Sequence, residues 1–151
     1  MKALETKIPP PVVTFLFLIL IFVFKDVTNR FSLPYQNAIA LFFLILGFVF
    51  AASAMRVFKK NKTTINPLNP EKATALVVTG VFKRSRNPMY FGLLNLLLSF
   101  SIYLGSFSGF FFIPLFITYI NFFQIIPEEK AMEKLFGNTF KDYCSKVRRW
   151  I

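Results

Sequence analysis

The chain has 151 residues, 55% of them hydrophobic and 22 of them Phe, with a formal net charge of +11 and no His. That length holds one domain at most, so 1–151 reads as a single unit. The missing imidazole excludes a Ser-His-Asp triad and removes the commonest metal ligand, and the single Cys144 excludes an intrachain disulfide.

The apolar residues fall in blocks. The first runs from about Pro11 to Phe24, and Pro9-Pro10-Pro11 gives it a rigid start. Pro suits a first helical turn because its missing N–H has no partner there to lose. Lys25-Asp26-Val27-Thr28-Asn29-Arg30 follows with no small-residue cleavage site, so the block reads as a membrane helix and not a removable leader. The second block, Tyr35 to Val57, carries no charge before Arg56. The third, Met89 to Leu104, begins directly after Pro88, and the fourth, Phe107 to Ile126, contains Pro114, a natural kink site. These blocks approach the ~20 residues that a helix needs to cross a bilayer. The expected fold class is therefore all-α: a multi-pass integral membrane protein with about four transmembrane helices.

The connections add detail. Gly105-Ser106-Phe107-Ser108-Gly109 reads as a tight uncharged turn, which makes the third and fourth helices an antiparallel hairpin. The loop from Lys59 to Pro70 is polar. Leu76-Val77-Val78-Thr79-Gly80-Val81-Phe82 is apolar but too short to span, which suits a re-entrant or interfacial stretch. After Pro127 the apolar residues Met132, Leu135, Phe136, Phe140, Tyr143 and Val147 recur at helical spacing, interrupted at Gly137-Asn138-Thr139. Two short amphipathic helices over about 128–147, lying at the interface, are expected.

With four spans and both termini on one side, sixteen of the eighteen Lys and Arg residues share that side, and only Lys25 and Arg30 face the other. The positive-inside rule then puts both termini and the middle loop in the cytoplasm. A third block only half inserted would disturb the count. The positive charge reads first as loop charge facing anionic membrane lipid, and no nucleic-acid partner is expected.

Two polar clusters stand out. Lys83-Arg84-Ser85-Arg86-Asn87-Pro88-Met89-Tyr90 joins three cations to a Pro-started helix, whose free N–H groups with Arg86 suit a carboxylate or phosphate. Plain flanking charge is the competing reading. Glu128-Glu129, after Pro127, suits an ammonium, ribose or sulfonium, or else complements a helix dipole or pairs with the cations of the first cluster. The hairpin brings the two clusters together at one end, an arrangement fit for a zwitterion with an apolar body. No Rossmann glycine pattern, P-loop or metal-spaced Cys/His set is present.

Leu76–Phe82, Ser85-Arg86-Asn87-Pro88-Met89-Tyr90-Phe91-Gly92, Glu128-Glu129, Leu135-Phe136-Gly137 with Phe140 and Tyr143, and Val147-Arg148-Arg149, in that order from about Thr64 onward, resemble the isoprenylcysteine carboxyl methyltransferase and phospholipid (phosphatidylethanolamine) N-methyltransferase superfamily, most of all its short bacterial members. The resemblance implies a membrane methyltransferase of the bacterial inner membrane, with a cytoplasmic active site. Its cofactor would be S-adenosylmethionine, its partner a lipophilic or small acceptor, and it would hold no metal. Leu76, Val77 and Phe82 would line the adenosine side, and Asn87, Pro88, Met89 and Tyr90 would hold the amino-acid moiety. Glu128 or Glu129 would contact polar groups, Arg86 would orient an anionic acceptor or cofactor carboxylate, and the C-terminal helices would lid the pocket. The chain departs from the pattern twice. Asn87 stands where many relatives have His, and Gln124 stands where the isoprenylcysteine enzymes carry a substrate-contacting Arg. The competing function is a non-catalytic membrane module that binds anionic lipid or a partner through its basic face. A transporter fits poorly, because no span holds a buried charge.

Overall fold

The computed structural model describes residues 7–61, 71 and 73–151. Most of the loop from Lys59 to Pro70, together with Lys2, Lys62 and Lys72, lies outside the described residues. The order is α1 (Pro10–Val23), α2 (Gln36–Lys60), a 3-10 turn (Gly80–Lys83), α3 (Pro88–Leu104), α4 (Phe107–Ile120), a π turn (Asn121–Ile125) and α5 (Ile126–Lys146). Helices account for the fold. Among the described residues there is no strand, only one isolated bridge between Arg30 and Ser106.

Two helical runs are long and apolar enough to cross a membrane: α2, 25 residues, and Phe107–Lys146, 40 residues, whose apolar part ends at Ile126. Only 17% and 28% of their most apolar windows are buried inside the protein, which sets them apart from soluble core helices. Large side chains such as Phe42, Phe48 and Phe111 point outward. The α1 and α3 helices, 14 and 17 residues, rise about 21 and 26 Å, less than a typical hydrocarbon core.

α2 and α3 form the tightest pair. A Cβ placed on Gly47 would sit 2.7 Å from the Gly92 carbonyl oxygen, and one on Gly92 would sit 2.8 Å from that of Gly47. Such backbone approach needs small residues. Nearby, the buried Ser99 hydroxyl donates to the Ala40 carbonyl at 2.7 Å. α1 lies across α3 and α4, where Val13 and Ile21 meet Leu97, Phe116 and Ile120.

At one end the α1–α2 connection grips the α3–α4 turn. Phe31 N–H donates to the Gly105 carbonyl at 2.7 Å, and Gln36 Nε2 donates to the Ile102 carbonyl at 2.8 Å. Gly105 takes a left-handed φ of 63°, which ends α3 at once, so the turn is shorter than the expected five residues and α4 begins at Phe107. Lys25 and Arg30 belong to this Gly105 end; Lys59, Lys60, Lys83 and Arg86 gather at the opposite, Pro88 end.

Other details sharpen the sequence reading. Pro114 sits inside α4, and the recorded departure from α geometry comes later, as the π turn. The expected break near Gly137 is present: its φ of 52° and ψ of −127° interrupt α5 at that residue. The apolar stretch Leu76–Phe82 packs against α2. Val77 and Phe82 pack on Ala54, with Val57 and Phe58 of α2 and with Met89.

Candidate functional site

The Pro88 end builds its site from the start of α3 and the start of α5. Asn87 precedes α3 in a non-helical conformation, its N–H held by the buried Ser85 hydroxyl at 3.1 Å, and Pro88 opens the helix. One turn on, Tyr90 is buried on the α3 face toward α5. The π turn ends at Ile125, and Pro127 opens α5 so that Glu128 and Glu129 stand in its first turn.

The expected cationic and anionic clusters do meet, and they are already paired. Arg86 Nη2 donates to Glu129 Oε1 at 2.7 Å, while its Nη1 donates to the carbonyls of Cys144 and Val147, each at 3.0 Å. Arg86 Nε is buried and has no acceptor among the described residues. Arg149 grips the same carboxylate, Nε to Oε1 at 3.1 Å and Nη2 to Oε2 at 2.6 Å. The Glu129 side chain is 20% exposed and that of Arg86 13%, so this network is shielded from solvent screening.

Glu128 belongs to a different contact. It accepts a short hydrogen bond from the Tyr90 hydroxyl. It lies beyond the apolar stretch that ends at Ile126. Burial pushes its carboxyl up to about 8; the Tyr90 bond opposes that rise, and the neighbouring Glu129 charge adds to it. Tyr143 donates to the Phe82 carbonyl at 2.6 Å and so ties α5 to the 3-10 turn; burial raises its hydroxyl well above the ordinary value, against the pull of Arg86.

Of the remaining residues singled out by sequence, Val77, Phe82 and Met89 form one apolar patch on α2, with Leu76 half-buried beside it. Asn87 Nδ2 donates to the Arg149 carbonyl at 2.9 Å. Gln124 is fully buried: its Nε2 donates to the Ile8 carbonyl at 2.8 Å, while its Oε1 has no partner among the described residues. Sequence reasoning gave no separate role to Arg149, Asn121 or Trp150. Trp150 Nε1 reaches Asn121 Oδ1 at 3.2 Å. The one available signal was the Arg148-Arg149-Trp150 run after an amphipathic helix, and nothing in its spacing names Glu129 or Asn121 as partners.

The described residues form an all-helical fold with two helical runs long and apolar enough to cross a membrane and a polar cluster gathered at one end. Residues 35–139 match the family described as phospholipid methyltransferase. The chain belongs to the phospholipid methyltransferase family and is a membrane methyltransferase. Over 63 residues, 42% of this chain, it is 41% identical to an uncharacterized protein of Haemophilus influenzae and covers that protein's whole length. No solved structure matches.

Proposed function

We propose that the chain is an S-adenosylmethionine-dependent methyltransferase working as one domain over 1–151, with its donor site at the Pro88 end. The observation that carries this reading is the pairing of Tyr90 with Glu128 beside the Arg86–Glu129 ion pair. The residues fit such a donor. Arg86 Nε is a buried donor without an acceptor among the described residues, and a carboxylate would provide one. Glu128 offers an acceptor to an ammonium or sulfonium, and Val77, Phe82 and Met89 offer an apolar face for a purine. When bound, S-adenosylmethionine supplies an electrophilic methyl group on a sulfonium.

The protein's part is then alignment and exclusion of water. Tyr90 and Glu128 hold the cationic end of the donor, Arg86 and Asn87 hold the anionic end, and the apolar walls keep the acceptor's nucleophile poorly hydrated. Such orientation alone removes a large share of a displacement barrier, and an already ionised acceptor requires no imidazole base. The acceptor is lipophilic or small and carries a carboxylate, amine or thiol. Gln124 in place of Arg speaks against a prenylcysteine carboxylate as the acceptor.

In this reading α1 to α4 all cross the bacterial inner membrane, the short α1 and α3 drawing on their flanks. The charge asymmetry supports cytoplasmic termini and a cytoplasmic site. The amphipathic stretch from Glu128 to Val147 lies at the interface. Purified protein in detergent should bind S-adenosylhomocysteine by calorimetry, and Glu128→Ala should weaken that binding. Absence of binding at millimolar ligand, with retained affinity for anionic vesicles, would favour a lipid-binding module instead. Lipid extracts from cells fed a labelled methyl donor, with and without the protein, would identify the acceptor.

A further inference from the structure

The residues after α5 lie across the site. Val147 is extended, with φ −125° and ψ 130°, and the chain from there to Trp150 forms a strap. Arg86 Nη1 holds the Val147 carbonyl, and the Arg86 backbone N–H donates to the Arg148 carbonyl at 3.0 Å. Asn87 holds the Arg149 carbonyl, the Arg149 side chain grips Glu129 with two bonds, and Trp150 reaches Asn121 of the π turn. Chain outside regular helix is ordinarily the more mobile part of a fold. This segment is tied at successive residues, and most of the ties end on residues of the candidate donor site.

The ties divide the two carboxylates. Glu129 takes hydrogen bonds on both oxygens from two guanidinium groups, so its charge is spent inside the protein. Among the described residues Glu128 takes only the Tyr90 hydroxyl. We propose that Arg149 is a positioning residue: by filling Glu129 it makes that carboxylate a fixed anchor for the Arg86–Asn87 turn and leaves Glu128 as the carboxylate that meets the cationic groups of the methyl donor. The proposal rests on the donor reading above. It also gives Asn87 a task, because its carboxamide clasps the strap.

Trp150 is the chain's one Trp, so its emission reports the strap without a label. The experiment measures S-adenosylmethionine affinity by calorimetry and Trp150 emission on the full chain in detergent. It compares the wild type with Arg149→Ala, Arg149→Lys and Glu128→Gln. Arg149→Ala should lose about tenfold or more in affinity, as expected for charged hydrogen bonds, and should red-shift Trp150. Arg149→Lys, which keeps a charged contact, should recover most of the affinity. Glu128→Gln should weaken binding while leaving Trp150 emission in place.

Unchanged affinity in Arg149→Ala with a shifted Trp150 would overturn the positioning role alone and leave the strap as packing. Unchanged affinity in Glu128→Gln would overturn the division of the carboxylates. Failure of Arg149→Lys to recover affinity despite wild-type emission would likewise count against positioning through Glu129. A wild type that binds no S-adenosylmethionine overturns the donor reading itself, a result distinct from the other three.

Discussion

Glu128 and Glu129 are neighbours in the chain and belong to different networks: Glu128 accepts from the Tyr90 hydroxyl, and Glu129 sits between Arg86 and Arg149. Consecutive helical residues point in directions that diverge around the axis, so one carboxylate faces α3 and the other faces the chain's end. Two acids that look redundant in sequence therefore have different physics.

Removing the Glu129 carboxylate strands two guanidinium groups beside each other. Glu129→Leu should destabilise the protein by about 2–4 kcal/mol, somewhat below the cost of breaking a fully buried pair, because the site keeps partial exposure. Glu129→Gln, which retains an acceptor oxygen, should cost less. Thermal unfolding in a fixed detergent reads both.

The Glu128 carboxyl has a folded value of about 8 against an ordinary 4.5. Its folded value is raised, so its contribution to stability is fully present below pH 4.5. It falls as pH rises and is lost once pH passes about 8. Glu128→Gln should flatten this decline in an unfolding series over that window. A cation bound beside Glu128 favours its ionised form. Binding of the sulfonium donor at neutral pH should therefore release a proton, seen as buffer-dependent heat in calorimetry, and the release should vanish in Glu128→Gln.

Tyr90→Phe removes the one bond that opposes the rise of Glu128. The Glu128 midpoint should move further upward, and the protein should lose about 1–3 kcal/mol, the cost of leaving a buried polar group without its partner. A pH series on the variant compared with wild type checks the first, and an unfolding curve the second.

Gly92→Val forces a side chain toward the Gly47 carbonyl, a backbone atom that has nowhere to go. α2 and α3 should separate, at a cost of about 1–3 kcal/mol. Gly137→Ala has open space around its Cβ and meets only the strain of a positive φ, so its unfolding midpoint should fall less.

Much of the helical layout was legible because Pro, Gly and charge punctuate it: Pro88 opens α3, Gly105 closes it, and Lys59-Lys60 end α2. The meeting of Arg86 with the Glu pair followed from the hairpin between α3 and α4. Two things were not legible. The π turn at Asn121–Ile125 has no breaker residue to announce it, since it is a matter of helix phase under packing. The strap was hidden because Arg149 meets Glu129 and Asn87 across separations of 20 and 62 residues, and no periodic pattern encodes a contact made by extended chain.

The clasp at the Gly105 end has a mechanical consequence. Phe31 and Gln36 bind the close of α3 to the start of α2, and Gly47 and Gly92 lock backbone to backbone farther along the pair. At the Pro88 end the packing of Val77, Phe82 and Met89 on Ala54, Val57 and Phe58 fastens the pair a third time, so α2 and α3 are held along their length and form one wall behind Tyr90 and Glu128.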